Sequence, residues 1–387
     1  MTAEFSNNRL TYEKGLMAIT IIYPLRYEGD IDLKGVKIEG TEELGFHSED
    51  FTFLLNERCR QGHFVRVFRF RNDALESKLE IDGAAIKDKR LYMFCGGVAF
   101  LTVSIFYRNT ENRCIYKLVN PGYMNSSYAS FHEVVRDYIL GIVVSKKGNV
   151  FRPYGSEDSI VNEAYFHNVA VVGKRFKQIE TMEQIAYNLH RLKDISHKFE
   201  DLSEKDIRYT YGGRDVESET YRWCCCISKQ SVSYVYGMEK KEITDSDVAD
   251  CVFEGLPLTM LAMYQRSACM MMKEKLQSVI EIYSLASKRK INKLNMTAMN
   301  FKVNDTIAPS MVSRWNNVCE TYRGLYEVNG IPEVLDEIGG KIAFISEEQA
   351  RRRNTTWGVV AAIITIVGLV QTLVAAIDLV EFLKGVF

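Results

Sequence analysis

Apolar residues follow three rhythms along this chain, and each change of rhythm marks a change of architecture. The first is alternating or continuous, rich in β-branched and aromatic side chains, and predicts strands. It covers residues 16–27, closing near Pro24, then 51–55, 64–70 and 90–107, with Gly96 and Gly97 as a bulge or bend in the last. Further strands are predicted at 114–119 and 164–172, and 220–227 with 231–236 reads as a hairpin. Apolar residues at helical spacing over 131–142 and 182–192 predict two helices packed on that sheet. Strands mixed with helices make this part α+β, a cytosolic α/β domain with a mixed sheet.

The second rhythm is helical and long. Residues 257–289 contain no Gly and no Pro beyond the first position, which predicts one helix of some thirty residues. Small and polar residues over 290–305 read as a break, and 309–328 as a second helix. Gly330 suits its stop, and Pro332 suits the first turn of a third.

The third rhythm is unbroken hydrophobicity. From Trp357 to Ile377 the chain is almost wholly apolar, and roughly 20 such residues at ~1.5 Å rise span the hydrocarbon core of a bilayer. The third helix therefore starts as a soluble stalk, passes a basic collar at Arg351, Arg352 and Arg353, and enters the membrane with Trp357 as an interfacial anchor. Three organisational parts follow: a cytosolic domain over 1–244, a long-helix stalk region over 245–356, and a membrane helix with a short tail over 357–387.

Charge fixes the orientation. Three arginines precede the apolar run and Lys384 alone follows it, so the positive-inside rule places the amino-terminal part in the cytoplasm of a single-pass protein of the cell (inner) membrane. The polar, acidic first residues do not resemble a secretory signal, and about ten residues beyond the span are too few for a domain on the far side. Lys+Arg 49 against Asp+Glu 50 leaves no basic field of the kind that binds nucleic acid directly. Nine cysteines, three of them consecutive at Cys224, Cys225 and Cys226, make a poor disulfide framework and read as reduced thiols in buried strands.

No phosphate loop, zinc-protease motif or nucleophile elbow is present, so the chain is read as a non-enzyme. Asp245, Asp247, Asp250 and Glu254 form an acidic cluster that suits either a divalent, Mg2+-like cation or the amino-terminal end of a helix, where the dipole favours carboxylates. Tyr209, Tyr211 and Arg214, around two glycines, suit either a nucleotide contact or an ordinary surface turn. His132 and His190 lie in predicted helices with no catalytic neighbour in sequence, and Met260, Met263 and Met270 to Met272 read as packing residues. In the span, Thr365, Gly368, Gln371, Thr372, Ala375, Asp378 and Glu381 recur every three, four or seven residues and form a drifting polar stripe. Such a stripe lines a pore when several copies surround an axis, with Asp378 and Glu381 as cation-attracting rings. The same helix also reads as a plain tail anchor, with Gly358 and Gly368 for packing and the two acids in the far headgroup layer.

The layout resembles the CorA-like divalent cation transporter superfamily. The resemblance is carried by Leu258 to Leu276, with its Gln265-Arg266 pair in a Leu- and Ala-rich helix, and by Phe301, Val312-Ser313, Tyr322-Arg323 and the stalk from Pro332. It covers residues 245–377, and the amino-terminal domain by architecture only. It implies a homopentamer around a central pore in membrane lipid, with cations passing along the stalk and the membrane helix. Two departures bear on transport: the family's Gly-Met-Asn signature is replaced by Ala375-Ala-Ile-Asp-Leu, and no second membrane helix follows. Divergent CorA-like proteins also serve as membrane effectors of type III CRISPR antiviral systems, which implies a nucleotide second messenger acting on the cytosolic domain. The alternative expectation is a tail-anchored ligand-binding or scaffold protein without transport activity.

Overall fold

The computed structural model describes residues 4–6, 9–11, 15–27, 33–45, 64–71, 75–76, 84–108, 126–144, 148, 150–154, 164–191, 206–281, 288–301 and 306–386. The strands expected at 51–55 and 114–119 lie outside these residues. Among those described, β1 (Glu4–Ser6) and β2 (Arg9–Thr11) pair with each other, and ten strands form one mixed sheet. These are β3 (Leu16–Tyr27), β4 (Thr41–Leu44), β5 (Val65–Phe70), β6 (Ala84–Phe94), β7 (Val98–Arg108), β8 (Phe151–Pro153), β9 (Tyr165–Val172), β10 (Arg208–Tyr211), β11 (Trp223–Ile227) and β12 (Ser231–Gly237). Their order is β10-β11-β12-β9-β3-β7-β6-β5-β4, with β8 also on β3, and only β12 and β9 run parallel. The fold is α+β.

β3 is the spine. It pairs with β7 along nearly its whole length and with β9 through Leu16 to Ile22. It continues past Pro24, contrary to the expected stop, because Pro24 falls between the last β9 register, Ile22 with Tyr165, and the first β8 register, Leu25 with Pro153. On that side no strand requires the N–H that proline lacks. The long strand expected over 90–107 is two strands. Gly96 and Gly97 take φ of 79° and 90°, a left-handed conformation open to glycine, and reverse the chain between β6 and β7.

Alternation along β3 sorts the layers. Met17, Ile19, Ile21 and Tyr23 face the side covered by helices α1 (Ser126–Leu140) and α2 (Ile179–His190), through Val135 and Ile139 and through Met182, Ile185 and Leu189. The opposite face carries Thr20, whose hydroxyl bonds that of Ser104 at 2.8 Å. That face is covered by α3 (Asp245–Glu281) and α5 (Asn316–Val328). Tyr264 of α3 stacks on Phe94, 4.6 Å between centroids, and Thr321 of α5 bonds Thr210 of β10 at 3.1 Å.

The α3 boundaries differ from expectation. The helix starts at Asp245, twelve residues before Pro257, which lies inside it. Val248, Cys251, Val252 and Leu256 are buried, so packing on the sheet outweighs the ~3 kcal/mol that an interior proline costs. Residues 290–305, expected as a break, are largely helical as α4 (Lys288–Asn300). Its buried Ile291 and Ala298, seven residues apart, form an apolar seam too sparse to stand out among polar neighbours. The expected 309–328 helix is a short 3-10 turn, Pro309–Met311, followed by α5. Gly330 at φ 66° ends α5, and α6 (Ile331–Val386) begins beside it.

The chain divides into two compact units, Met1–Met270 with Thr306–Pro332 and Met271–Asp305 with Glu333–Phe387. Most of α3 thus groups with the sheet, and its last turns with α4 and most of α6.

Candidate functional site

α6 is one helix of 56 residues without a break. Its first turns are packed: Ile331, Ile338 and Ile345 are fully buried, while Lys273 and Lys341 both pair with Glu337, at 2.6 and 3.0 Å. Its later part is bare. From Trp357 to Leu379 every residue is exposed, and this is the one helix among the described residues long and apolar enough to cross a membrane. Covering such a surface, with hydrocarbon or with another apolar surface, recovers ~25 cal/mol per Å2 of apolar area.

The basic collar sits between these parts. Arg351 pairs with Glu348 at 2.8 Å, which holds its pKa above the usual guanidinium value, and Arg353 and Trp357 are exposed. Arg352 is the middle member of the run on the helix.

The polar stripe of the span resolves into two lines. Gly358, Ala361, Thr365, Gly368, Thr372 and Ala375 alternate steps of three and four and form a seam of small residues. An added Cβ at Gly358 or Gly368 meets nothing within 4 Å, so the seam is open. The Thr365 hydroxyl donates to the Ala361 carbonyl and that of Thr372 to the Gly368 carbonyl, both at 2.8 Å. These hydroxyls are satisfied within the helix and require neither water nor a neighbour. Gln371 and Asp378, a heptad apart, lie about 100° further round, and Glu381 follows in the last turns. Gln371 is thus the uncharged side chain of the span whose hydrogen-bonding groups most need a partner.

The acidic cluster lies in the first turns of α3. Thr244 and Asp247 cap it reciprocally, and Asp247 is also bound by Lys240 at 2.5 Å. The Lys240 ammonium, with the Thr244 donors, holds the Asp247 carboxyl down at about 2. Asp245 pairs with Lys87 at 2.8 Å, and Asp250 and Glu254 are exposed. Among the described residues no group of three His, Cys, Asp or Glu side chains is gathered as a metal ion needs.

Tyr209 and Tyr211 lie on β10, an edge strand, rather than in a turn. Two apart, they share the face toward α2: Tyr209 packs against the core and the Tyr211 hydroxyl donates to Glu183 at 2.5 Å. Arg214 follows in the loop, exposed, with its guanidinium 5.9 Å from the Tyr221 ring, itself 6.5 Å from that of Tyr211. Arg175, bound to Asp215 at 3.2 Å, completes a rim of two arginines and two tyrosines at this sheet edge. Sequence reasoning did not find Arg175 and Tyr221, because the Phe176 to Tyr221 bridge that brings them together joins segments 45 residues apart.

The Gln265-Arg266 pair has a structural use. Buried Gln265 accepts from the Ile307 backbone at 3.4 Å, and Arg266 donates to Asn329 at 3.4 Å. His190 shares hydrogen bonds with Ser228 and Ser231 at the β11–β12 turn. His167, fully buried on β9, bonds Thr259 of α3 at 3.0 Å, and burial pushes its pKa down to about 3, so it is neutral. Of His132 only the backbone position, within α1, is described.

Compared with known family models, with curated proteins and with solved structures, the chain has no match in any of the three, so the likeness to CorA-like transporters rests on its own motifs and layout.

Proposed function

We propose that this chain is a single-span membrane protein with a cytoplasmic amino-terminal unit, assembled through α6 into a homo-oligomer that forms or gates a path for cations. One observation carries the reading: a single unbroken helix joins packed stalk turns to a bare apolar span. A change in stalk packing is thereby coupled to the span without an intervening joint. The open small-residue seam allows close approach of copies, while Gln371, Asp378 and Glu381 supply polar groups that lipid disfavours. The resemblance implies a pentamer, a divalent cation as cargo and a nucleotide messenger as trigger in antiviral defence. The rim of Tyr211, Tyr221, Arg214 and Arg175 offers the aromatic faces and guanidinium groups such a messenger needs.

The test is ion flux. Purified protein in liposomes is expected to pass cations, and Asp378→Asn with Glu381→Gln to change which cations pass. No flux, or unchanged selectivity in the double variant, counts against the pore or the acidic rings respectively.

A second reading, a tail-anchored binding or scaffold protein, is favoured by the internally satisfied Thr365 and Thr372 hydroxyls, which suit a helix facing lipid. A monomer in mild detergent selects it, because one helix encloses no pore.

A further inference from the structure

The start of α4 has no use in the reading above, yet it is the most basic stretch of the second unit. Lys288, Arg289, Lys290 and Lys293 fall within six residues, and residues 282–302 hold no carboxylate. Arg289 and Lys293 are exposed.

Its level along α6 follows from three contacts. Arg266 meets Asn329, just ahead of α6, and Lys273 meets Glu337, so the final turns of α3 advance in the direction of α6, toward its apolar half. Glu281, eight residues past Lys273, is then level with Ile345, about 12 Å further on. Helices joined by a connection as brief as 282–287 pack antiparallel, so α4 returns along the stalk. The Asn295 amide bonds the Ser346 hydroxyl at 3.2 Å, which sets its register. Counting seven residues back from Asn295 and seven forward from Ser346 brings Lys288 level with Arg353. By backbone register the turn of α4 at 288–290 is thus level with the turn of α6 at 351–353, one turn before Trp357.

We infer that the start of α4 and the arginine collar of α6 form one basic surface that docks on anionic lipid headgroups. Seven basic residues lie in this band against three carboxylates, Glu281, Glu347 and Glu348, the last of them bound to Arg351. Clusters of this size beside a span bind acidic lipid at ~1 kcal/mol per residue near the surface. Lipid is the occupant because the cluster adjoins the span, at the depth where phosphates of the leaflet lie. The inference rests on membrane insertion of α6 but not on a pore.

The test uses the full chain in vesicles and the fluorescence of Trp357, quenched by brominated phosphatidylglycerol or by brominated phosphatidylcholine. The wild type is expected to be quenched more by the anionic lipid, with a preference on the order of five-fold for each basic residue that reaches the headgroups. Joint substitution Lys288→Gln, Arg289→Gln, Lys290→Gln and Lys293→Gln is expected to remove most of that preference, and Lys288→Arg, Lys290→Arg and Lys293→Arg to keep it. Equal quenching of the wild type by both lipids overturns the inference while leaving insertion intact. Quenching by neither overturns insertion and the inference with it. A preference unchanged by the four glutamines, or lost equally with the three arginines, removes α4 from the surface. Tighter binding of a single-stranded oligonucleotide than of anionic lipid, abolished by the four glutamines, reassigns the surface to nucleic acid.

Discussion

The Asp247 carboxylate accepts the backbone N–H of Thr244 at 2.9 Å while the Thr244 hydroxyl accepts the backbone N–H of Asp247 at 3.3 Å. This reciprocal pair closes the first turn of α3, where four N–H groups have no carbonyl partner within the helix. Thr244→Ala is expected to cost about 0.5–2 kcal/mol, read as a lower midpoint of thermal unfolding. The pH dependence has a definite sign. Asp247 is held at about 2 against an ordinary 3.8, so its contribution is complete above about pH 4 and fades as pH falls toward 2. The stability gap between wild type and Asp247→Asn should therefore be wide at pH 6 and narrow near pH 2. A constant gap would mean that the cap works through shape alone.

Two glycines in helices separate packing from propensity. Gly255 of α3 lies under the sheet, where an added Cβ would come within 3.1 Å of the Tyr234 ring and 3.2 Å of that of His167. Both rings are buried, so each must give by a few tenths of an ångström against packed neighbours. Gly255→Ala is expected to destabilise by about 1–3 kcal/mol although alanine is the better helix former. Gly340 of α6 meets nothing within 4 Å, and Gly340→Ala should stabilise by up to about 1 kcal/mol. Chemical denaturation of both variants checks the opposite signs.

The three consecutive cysteines give a chemical readout of the sheet. Cys224, Cys225 and Cys226 are fully buried on β11 between β10 and β12, and burial pushes the Cys225 thiol up to about 12 and that of Cys224 well above its ordinary value. Protonated and enclosed, they should resist maleimide at pH 8 in the folded chain and react after unfolding. Mass spectrometry of labelled peptides locates the protected thiols. Labelling at the rate of an exposed cysteine would contradict the placement of β11.

How much of this was legible in sequence depended on the range of the interaction responsible. Strands such as Leu16–Tyr27 and Tyr165–Val172 follow directly from local composition, and so does the apolar half of α6. The start of α3 was missed because Pro257 reads locally as a first turn, whereas Val248 and Val252 are committed to helix by a sheet formed far away in the chain. The Thr244 to Asp247 pair is a Thr-x-x-Asp signal; the acids alone suit either a cation or a helix amino terminus, and it is the threonine that marks the capped turn. α4 is hidden because, among its described side chains, Ile291 and Ala298 alone are fully turned inward. At the candidate sites, sequence periodicity located the stripe of the span. It did not reveal that both threonine hydroxyls are spent on their own helix, nor that Tyr221 and Arg175 join Tyr211 and Arg214.

That use of the hydroxyls separates Gln371 from Thr372. Thr372 already donates to the Gly368 carbonyl, so Thr372→Val removes no bond between copies and should leave association through α6 nearly unchanged. In the proposed membrane assembly the Gln371 amide has two donors and an acceptor that lipid cannot satisfy, and a second copy of the helix would be their partner. Interhelical hydrogen bonds of this kind are worth about 0.6 kcal/mol on average and at most about 1.7 in bilayers. Gln371→Leu should therefore shift the assembly toward monomer by that amount for each contact made. Energy transfer between labelled copies in vesicles, measured over a range of protein-to-lipid ratios, separates the two variants. A loss of association in Thr372→Val as large as in Gln371→Leu would mean that the threonine leaves its own helix to bond a neighbour. Association unchanged in both would mean that Gln371 faces no partner, and α6 would then act as a single tether.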